Sequence, residues 1–191
     1  MQLILASQSP RRHALLASIG LPFLVDVADV DEDWHAGEDP IAYVERVARA
    51  KAETIAARLG HPPATVVLAA DPTVDVDGQI LAKPVDDADA RRMLWLLSGR
   101  THQVHTAVFC WASTGVHVDT VTTDVTFVRL TDALIEWYLA RGEHVDKAGA
   151  YGMQGAAGAL VARIDGSPSN VIGLPLASAV TLLQRCGIHL R

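Results

Sequence analysis

The sequence predicts an α/β protein built on a mixed sheet. Apolar runs of strand length alternate with segments of helical periodicity. Helix-start signals of the Ser-Pro and Asp-Pro type stand between them. Two long β-type runs, around 101–111 and 116–128, follow each other across Thr114-Gly115 and read as an antiparallel hairpin within the alternation.

Leu3 to Ala6 is a short buried strand. Ser7-Gln8-Ser9-Pro10 is a polar turn whose proline is suited to open a helix; Leu15, Leu16 and Ile19 give that helix an apolar face and Gly20 ends it. Phe23 to Val27 is a second strand, followed by an acidic loop with Asp29, Asp31, Glu32 and Asp33. Asp39-Pro40 forms an N-cap and first helical position, and the helix runs to about Leu59 before Gly60 and two prolines. Val66 to Ala70 is an apolar strand of the fully buried kind, with Asp71 at its end. Val74 and Val76 lead into the hairpin dipeptide Asp77-Gly78, and Ile80-Leu81 leads out. Asp86 caps a helix through Leu97, closed by Gly99. After the long hairpin, Thr131 caps a helix to Arg141, and a glycine-rich stretch at 146–158 precedes a strand from Leu160 to Ile164. Pro175 begins a last helix that ends before Gly187. No repeat or linker interrupts the pattern, so one domain is expected over residues 1–191.

At 191 residues, half of them apolar, the chain is long enough to bury a core without metal or disulfide staples. Lys and Arg number 16 against 22 Asp and Glu, a formal charge of −6, which counts against a nucleic-acid polymer as partner. Cys110 and Cys186 are isolated in the sequence and form no disulfide framework, so a reducing, cytoplasmic setting is expected. A signal peptide and a membrane-spanning run are not expected either. The histidines show no metal-ligand spacing: His102 and His105 lie three apart on a strand and point to opposite faces.

Two places suit chemistry. Ser7-Gln8-Ser9-Pro10-Arg11-Arg12 joins a strand to a helix N-terminus, where free N–H groups, two hydroxyls and two guanidinium forks suit a phosphate; the plain alternative is a capped helix with two solvated arginines. Asp71, a carboxylate at the end of a buried strand, needs a cation, a metal or hydrogen bonds, unless it is a turn residue before Pro72. Asp75-Val76-Asp77-Gly78 resembles the haloacid-dehalogenase phosphatase signature, but Gln79 follows where that signature wants Thr or Val, and a hairpin turn accounts for the same residues. Glu32, Lys51 and Lys83 read singly as surface charges. In Asp146-Lys147-Ala148-Gly149-Ala150-Tyr151-Gly152-Met153-Gln154-Gly155, small residues around Tyr151 and Gln154 suit close approach to a ligand, and the Gln154 amide can both donate and accept at a base edge.

Taken in order, Leu-Ala-Ser-Gln-Ser-Pro-Arg-Arg at 5–12, Lys51, Ala-Ala-Asp at 69–71, Leu-Ala-Lys-Pro at 81–84, Leu-Ser-Gly-Arg-Thr-His at 97–102, the 146–155 block and Val-Ile-Gly-Leu-Pro at 171–175 resemble the Maf family of nucleoside triphosphate pyrophosphatases. The resemblance spans nearly the whole chain, and the 97–106 and 146–155 blocks are most similar to its dTTP/UTP branch. It implies an inosine-triphosphatase-like fold, with an elongated mixed sheet flanked by helices and two lobes around a cleft. It implies hydrolysis of a nucleoside triphosphate (dTTP, UTP or a modified nucleotide) to the monophosphate and pyrophosphate with a divalent metal, Mg or Mn, and leaves a homodimer open. By the same resemblance Asp71 is the proton acceptor, and Ser7, Ser9, Arg11, Arg12, Lys51, Lys83, Lys147 and Gln154 bind substrate. Glu32 and Asp71 are the expected metal ligands, and Arg11 and Gln154 set substrate choice.

One departure bears on that choice: the branch usually has Thr after the catalytic Asp, and here Pro72 stands there with Thr73 next, removing an N–H and a hydroxyl. Ser167-Pro168-Ser169 stands where aromatic residues are common. A second reading, from the family's link to septum formation, is a nucleotide-sensing cell-division regulator without turnover. Arg11, Arg12, Lys51, Lys83 and Lys147 are five of the 16 basic residues, so the cleft is expected to be positive within an acidic chain.

Overall fold

The computed structural model describes residues 1–190; Arg191, the last residue of the expected domain span, lies outside the described residues. The elements are β1 (Gln2–Ala6), α1 (Pro10–Ser18), β2 (Leu24–Asp26), α2 (Pro40–Arg58), β3 (Thr65–Val76), β4 (Gln79–Leu81), α3 (Asp87–Leu97), β5 (Thr101–Ala112), β6 (Gly115–Phe127), α4 (Asp132–Leu139), β7 (Val161–Asp165), α5 (Pro168–Ile172) and α6 (Leu176–Arg185). Two 3₁₀ turns, Ala148–Ala150 and Ala156–Leu160, carry the glycine-rich stretch.

Among the described residues seven strands form one sheet in the order β2-β1-β3-β5-β6-β7, with β4 on the same side of β3 as β1. β1 is parallel to β2 and β3, and every other pairing is antiparallel, which makes the sheet mixed as expected. The caps lie where the sequence puts them. Asp39 accepts from the Ile41 and Ala42 amides at 2.9 and 3.1 Å, Asp86 from Asp89 at 2.7 Å, and Thr131 from Leu134 at 3.2 Å. Asp77 and Gly78 take φ of 54° and 78°, the signature of a type I′ turn.

The core has three parts, set by which helix covers which face. Val66, Leu68, Ala70, Val108 and Cys110 pack against α1 and α6 residues such as Leu16, Leu182 and Leu183. On the other face, Val67, Ala69, Ala107 and Phe109 lie under Val44, Ala48, Ala52 and Ile55 of α2. At the far end Val74, Val76 and Val104 meet Leu94 and Leu97 of α3 and Ile135 and Tyr138 of α4.

Several expectations need correction. The strand expected to stop at Ala70 runs 12 residues to Val76, so Asp71 and Pro72 lie in mid-strand. Pairing carries it through: Asp71 faces Ala107 and Pro72 faces Thr106 on β5. On the opposite edge β1 pairs β3 only as far as Leu68 and β4 resumes at Val74. Residues 69–73 therefore have no neighbour there, and the missing Pro72 N–H points into that gap, where no ladder bond is lost. The second strand is shorter than expected, and the long hairpin turns on Ser113-Thr114, with Ala112 opposite Gly115. Helix α5, opened by Pro168 with Ser167 as its cap, has no counterpart in the sequence reading. Cys110 and Cys186, isolated in sequence, meet in the core as free thiols with Sγ atoms 3.3 Å apart.

Candidate active site

The gap in the β3 edge organises the site. Side chains alternate along a strand, so Asp71 and Thr73 face the α2 side while Pro72 and Val74 face the other. A ligand passing over this unpaired edge reaches both faces.

On the α2 side, Lys51 projects from the buried stripe of the helix and is 7% exposed, not a surface lysine. Its Nζ donates to Asp71 Oδ1 at 2.7 Å and pairs with Glu32 Oε1 at 2.8 Å. One ammonium thus joins a buried carboxylate to a half-exposed one. Burial pushes the Asp71 carboxyl above its ordinary range, against the pull of Lys51 and Arg12. Burial acts the same way on Glu32, but the Lys51 hydrogen bond with the charges of Lys51, Lys83 and Arg12 outweighs it and holds that carboxyl low. Lys83 is itself exposed and supplies part of the field at Glu32.

At the head of α1, Arg12 donates through Nε to the Gly173 carbonyl at 2.9 Å and through Nη1 to Ser7 Oγ at 3.2 Å. Ser7 Oγ also accepts from the Ser9 amide at 3.1 Å, and the Ser7 carbonyl lies 2.7 Å from His13 Nε2. Ser9 occupies the N-cap position but makes no capping bond. The ordinary capped helix with solvated arginines is therefore not what forms. Arg12 is braced and partly buried, and the Ser9 hydroxyl and the first amides of α1 stay available to an anion. Burial lowers the Arg12 and Arg11 pKa values, partly offset by Asp71 for the first and by Tyr138 and Asp146 for the second.

On the other face of β3, a cleft is lined by Arg11, Pro72, Val104, Lys147, Tyr151, Gly152 and Met153. Lys147 is partly buried, which lowers its pKa, as does nearby Arg11. Its methylenes cover Gly152, where a Cβ would come within 2.7 Å of them. Gln154 is exposed and is not part of the cleft wall, although its neighbours Gly152 and Met153 are. The field of Lys147 reaches Arg11, that of Arg11 reaches Arg12, that of Arg12 reaches Asp71 and Glu32, and that of Lys83 reaches Glu32. The five basic residues thus converge on one region of the molecule rather than scattering over its surface.

Asp75 lies within paired β3, with Oδ1 buried without a partner and Oδ2 3.5 Å from His105 Nε2. Its dipeptide Asp77-Gly78 is a hairpin turn, so the dehalogenase-like signature is not reproduced. Among the described residues no cluster of three or more His, Cys, Asp or Glu is grouped to hold a metal alone. Asp71 and Glu32, however, aim oxygens at one locus, now filled by Nζ. That hard-oxygen pair fits a Mg-type cation whose remaining ligands are water and phosphate.

Sequence reasoning missed Gly173 as the carbonyl that orients Arg12, although it sits in the 171–175 block.

The mixed seven-stranded sheet and its flanking helices define an α/β protein with a Ham1-like fold. The fold matches the solved Staphylococcus aureus Ham1 protein at a TM-score of 0.54, covering 97% of each chain at 17% identity. The chain belongs to the Maf family: the model described as Maf-like protein matches residues 2–186. It is 52% identical to the dTTP/UTP pyrophosphatase of Myxococcus xanthus over 190 residues, 98% of this chain and 94% of that one. It is 47% identical to the dTTP/UTP pyrophosphatase of Symbiobacterium thermophilum over 186 residues, 97% of this chain and 94% of that one.

Proposed function

We propose that this chain hydrolyses a pyrimidine nucleoside triphosphate, dTTP or UTP, to the monophosphate and pyrophosphate. The observation that carries the reading is Asp71: a buried carboxylate in mid-strand, at the one unpaired stretch of β3, with Lys51 bonded to it and Arg12 in its field. The names of the relatives supply the substrate class.

Asp71 accepts the proton of the water that attacks the α-phosphorus. As the new P–O bond forms, the bond from that phosphorus to the oxygen bridging the α- and β-phosphates breaks, and pyrophosphate leaves on that oxygen. A triphosphate carries about four negative charges, which Arg11, Arg12, Lys51 and Lys83 meet, and these cations stabilise charge gathering on the leaving group. The free amides and the Ser7 and Ser9 hydroxyls at the head of α1 orient phosphate oxygens. Asp71 and Glu32 would hold a divalent metal, which when bound neutralises part of the triphosphate charge. Arg11, Pro72 and Lys147 face the nucleoside end, Gln154 stands exposed just beyond the cleft wall, and the Pro72 ring offers an apolar wall where a Thr would offer a hydroxyl.

The test is a screen of natural and modified nucleoside triphosphates with Mg or Mn, assaying pyrophosphate and orthophosphate separately. Pyrophosphate release from dTTP or UTP, lost in Asp71→Asn, is expected. Nucleotide binding without turnover points instead to a sensor, and orthophosphate release dependent on Asp75 points to phosphatase chemistry.

A further inference from the structure

The cleft wall contributed by residues 147–153 rests on the sheet through Gly149 against Val74 and Tyr151 against His102 and Phe127, and one residue outside it, Glu143, contacts both its ends. Glu143 stands in the turn after α4. Its Oε2 accepts from the Ala156 amide at 2.9 Å, just beyond Gln154. Its backbone carbonyl accepts from Lys147 Nζ, the residue at the near end of the wall. The fit against the carboxylate is tight. Gly155 adopts φ +100°, and a Cβ there would come within 2.6 Å of Oε2, so only glycine lets the carboxylate reach the next amide. At the near end a Cβ on Gly152 would come within 2.7 Å of the Lys147 methylenes, so that chain would have to shift from where it lies. Two glycines therefore pay for one clasp.

We infer that Glu143 is a positioning residue for nucleotide selection: by tying Lys147 to Ala156 it holds the Lys147–Gln154 segment at the spacing at which the cleft accepts one nucleoside in preference to others. This rests on the reading of that cleft as the nucleoside's seat. Glu143 does not line the cleft, so its effect is on the geometry of groups that do. Displacing groups that contact the nucleoside, and not those around Asp71, removes binding common to ground and transition states, which raises KM and leaves kcat.

The test compares steady-state constants for dTTP, UTP, dCTP and dATP in wild type, Glu143→Ala, Glu143→Gln and Gly155→Ala. Glu143→Ala is expected to raise KM for the preferred nucleotide about 10-fold, hold kcat within about 3-fold, and narrow the spread of kcat/KM among the four nucleotides. Glu143→Gln keeps an acceptor oxygen for the Ala156 amide and is expected to restore most of the discrimination. Gly155→Ala attacks the clasp from the other side and is expected to reproduce the Glu143→Ala pattern, which keeps the inference testable if one variant does not fold. Unchanged KM and an unchanged nucleotide spread in both Glu143→Ala and Gly155→Ala, with wild type active, overturn the positioning role alone. A wild type that releases pyrophosphate from none of the four overturns the proposed function and this inference with it.

Discussion

Lys51 Nζ lies 2.7 Å from Asp71 Oδ1, and the two residues, 7% and 5% exposed, come from a helix and a strand twenty positions apart. The pair bears on the protonation and fixes the direction of the carboxylate that the proposed reaction needs.

Asp71→Asn keeps shape and volume but removes the base. Pyrophosphate release is expected to fall by about 10²–10⁴-fold, the usual range for a lost general base, with circular dichroism unchanged. A variant with wild-type turnover would sink the assignment.

Lys51→Met leaves a buried carboxylate without its hydrogen-bonded cation. Breaking a buried pair on one side costs about 3–5 kcal/mol, so urea unfolding should show a loss of that order, and activity should fall with it. A double variant with Asp71→Asn should recover part of the stability, because the stranded charge is gone.

The acid limb of kcat/KM should lie above the ordinary carboxylate range, because burial raises the Asp71 pKa and the base works only when ionised. The sign for stability is opposite to that for activity. A carboxyl with a raised folded pKa destabilises the fold as pH rises from its unfolded to its folded value, so the site costs stability in the pH range where it becomes active. A limb at or below the usual aspartate value contradicts the assignment.

His102, behind the cleft residue Tyr151, gives a second pH signature. Its Nε2 bonds the Tyr151 hydroxyl at 2.7 Å while Nδ1 is buried without a partner, and burial pushes its pKa down to about 4. The unfolded state then takes up the proton first, so stability present above pH about 6.5 is lost as pH falls toward 4, by up to about 3 kcal/mol. Unfolding of wild type and His102→Gln at pH 7 and pH 4.5 measures this. Equal pH dependence in the two would refute it.

Pro72→Thr should be tolerated, because the restored N–H points into the unpaired gap of β3 and meets no ladder partner. A stability change within about 1 kcal/mol is expected, with KM shifted among nucleotides because the cleft wall gains a hydroxyl. A large loss of stability would show that the gap is closed.

Much of this molecule is legible locally. Asp39, Asp86 and Thr131 announce their helices because a cap needs only its own side chain and the amides two or three residues on. Asp77-Gly78 announces its turn because a type I′ hairpin demands two positive φ values. Pro72 misled for the same reason: a proline in a strand reads as a break, and only the absence of a strand neighbour at residues 69–73 makes it harmless.

The sequence by itself determined the helix starts, the hairpins, the mixed α/β class and the set of cationic residues, since each depends on neighbours a few positions away. The tertiary structure alone decided that Lys51 is buried on Asp71, that Gly173 aims Arg12, that the two thiols meet and that Glu143 reaches Ala156. Those contacts join residues separated by 13 to 161 positions, and no periodicity encodes them. They follow from sheet order and from which face each helix covers. The same ordering gathers Arg11, Arg12, Lys51, Lys83 and Lys147 in one region of a chain whose net charge is −6.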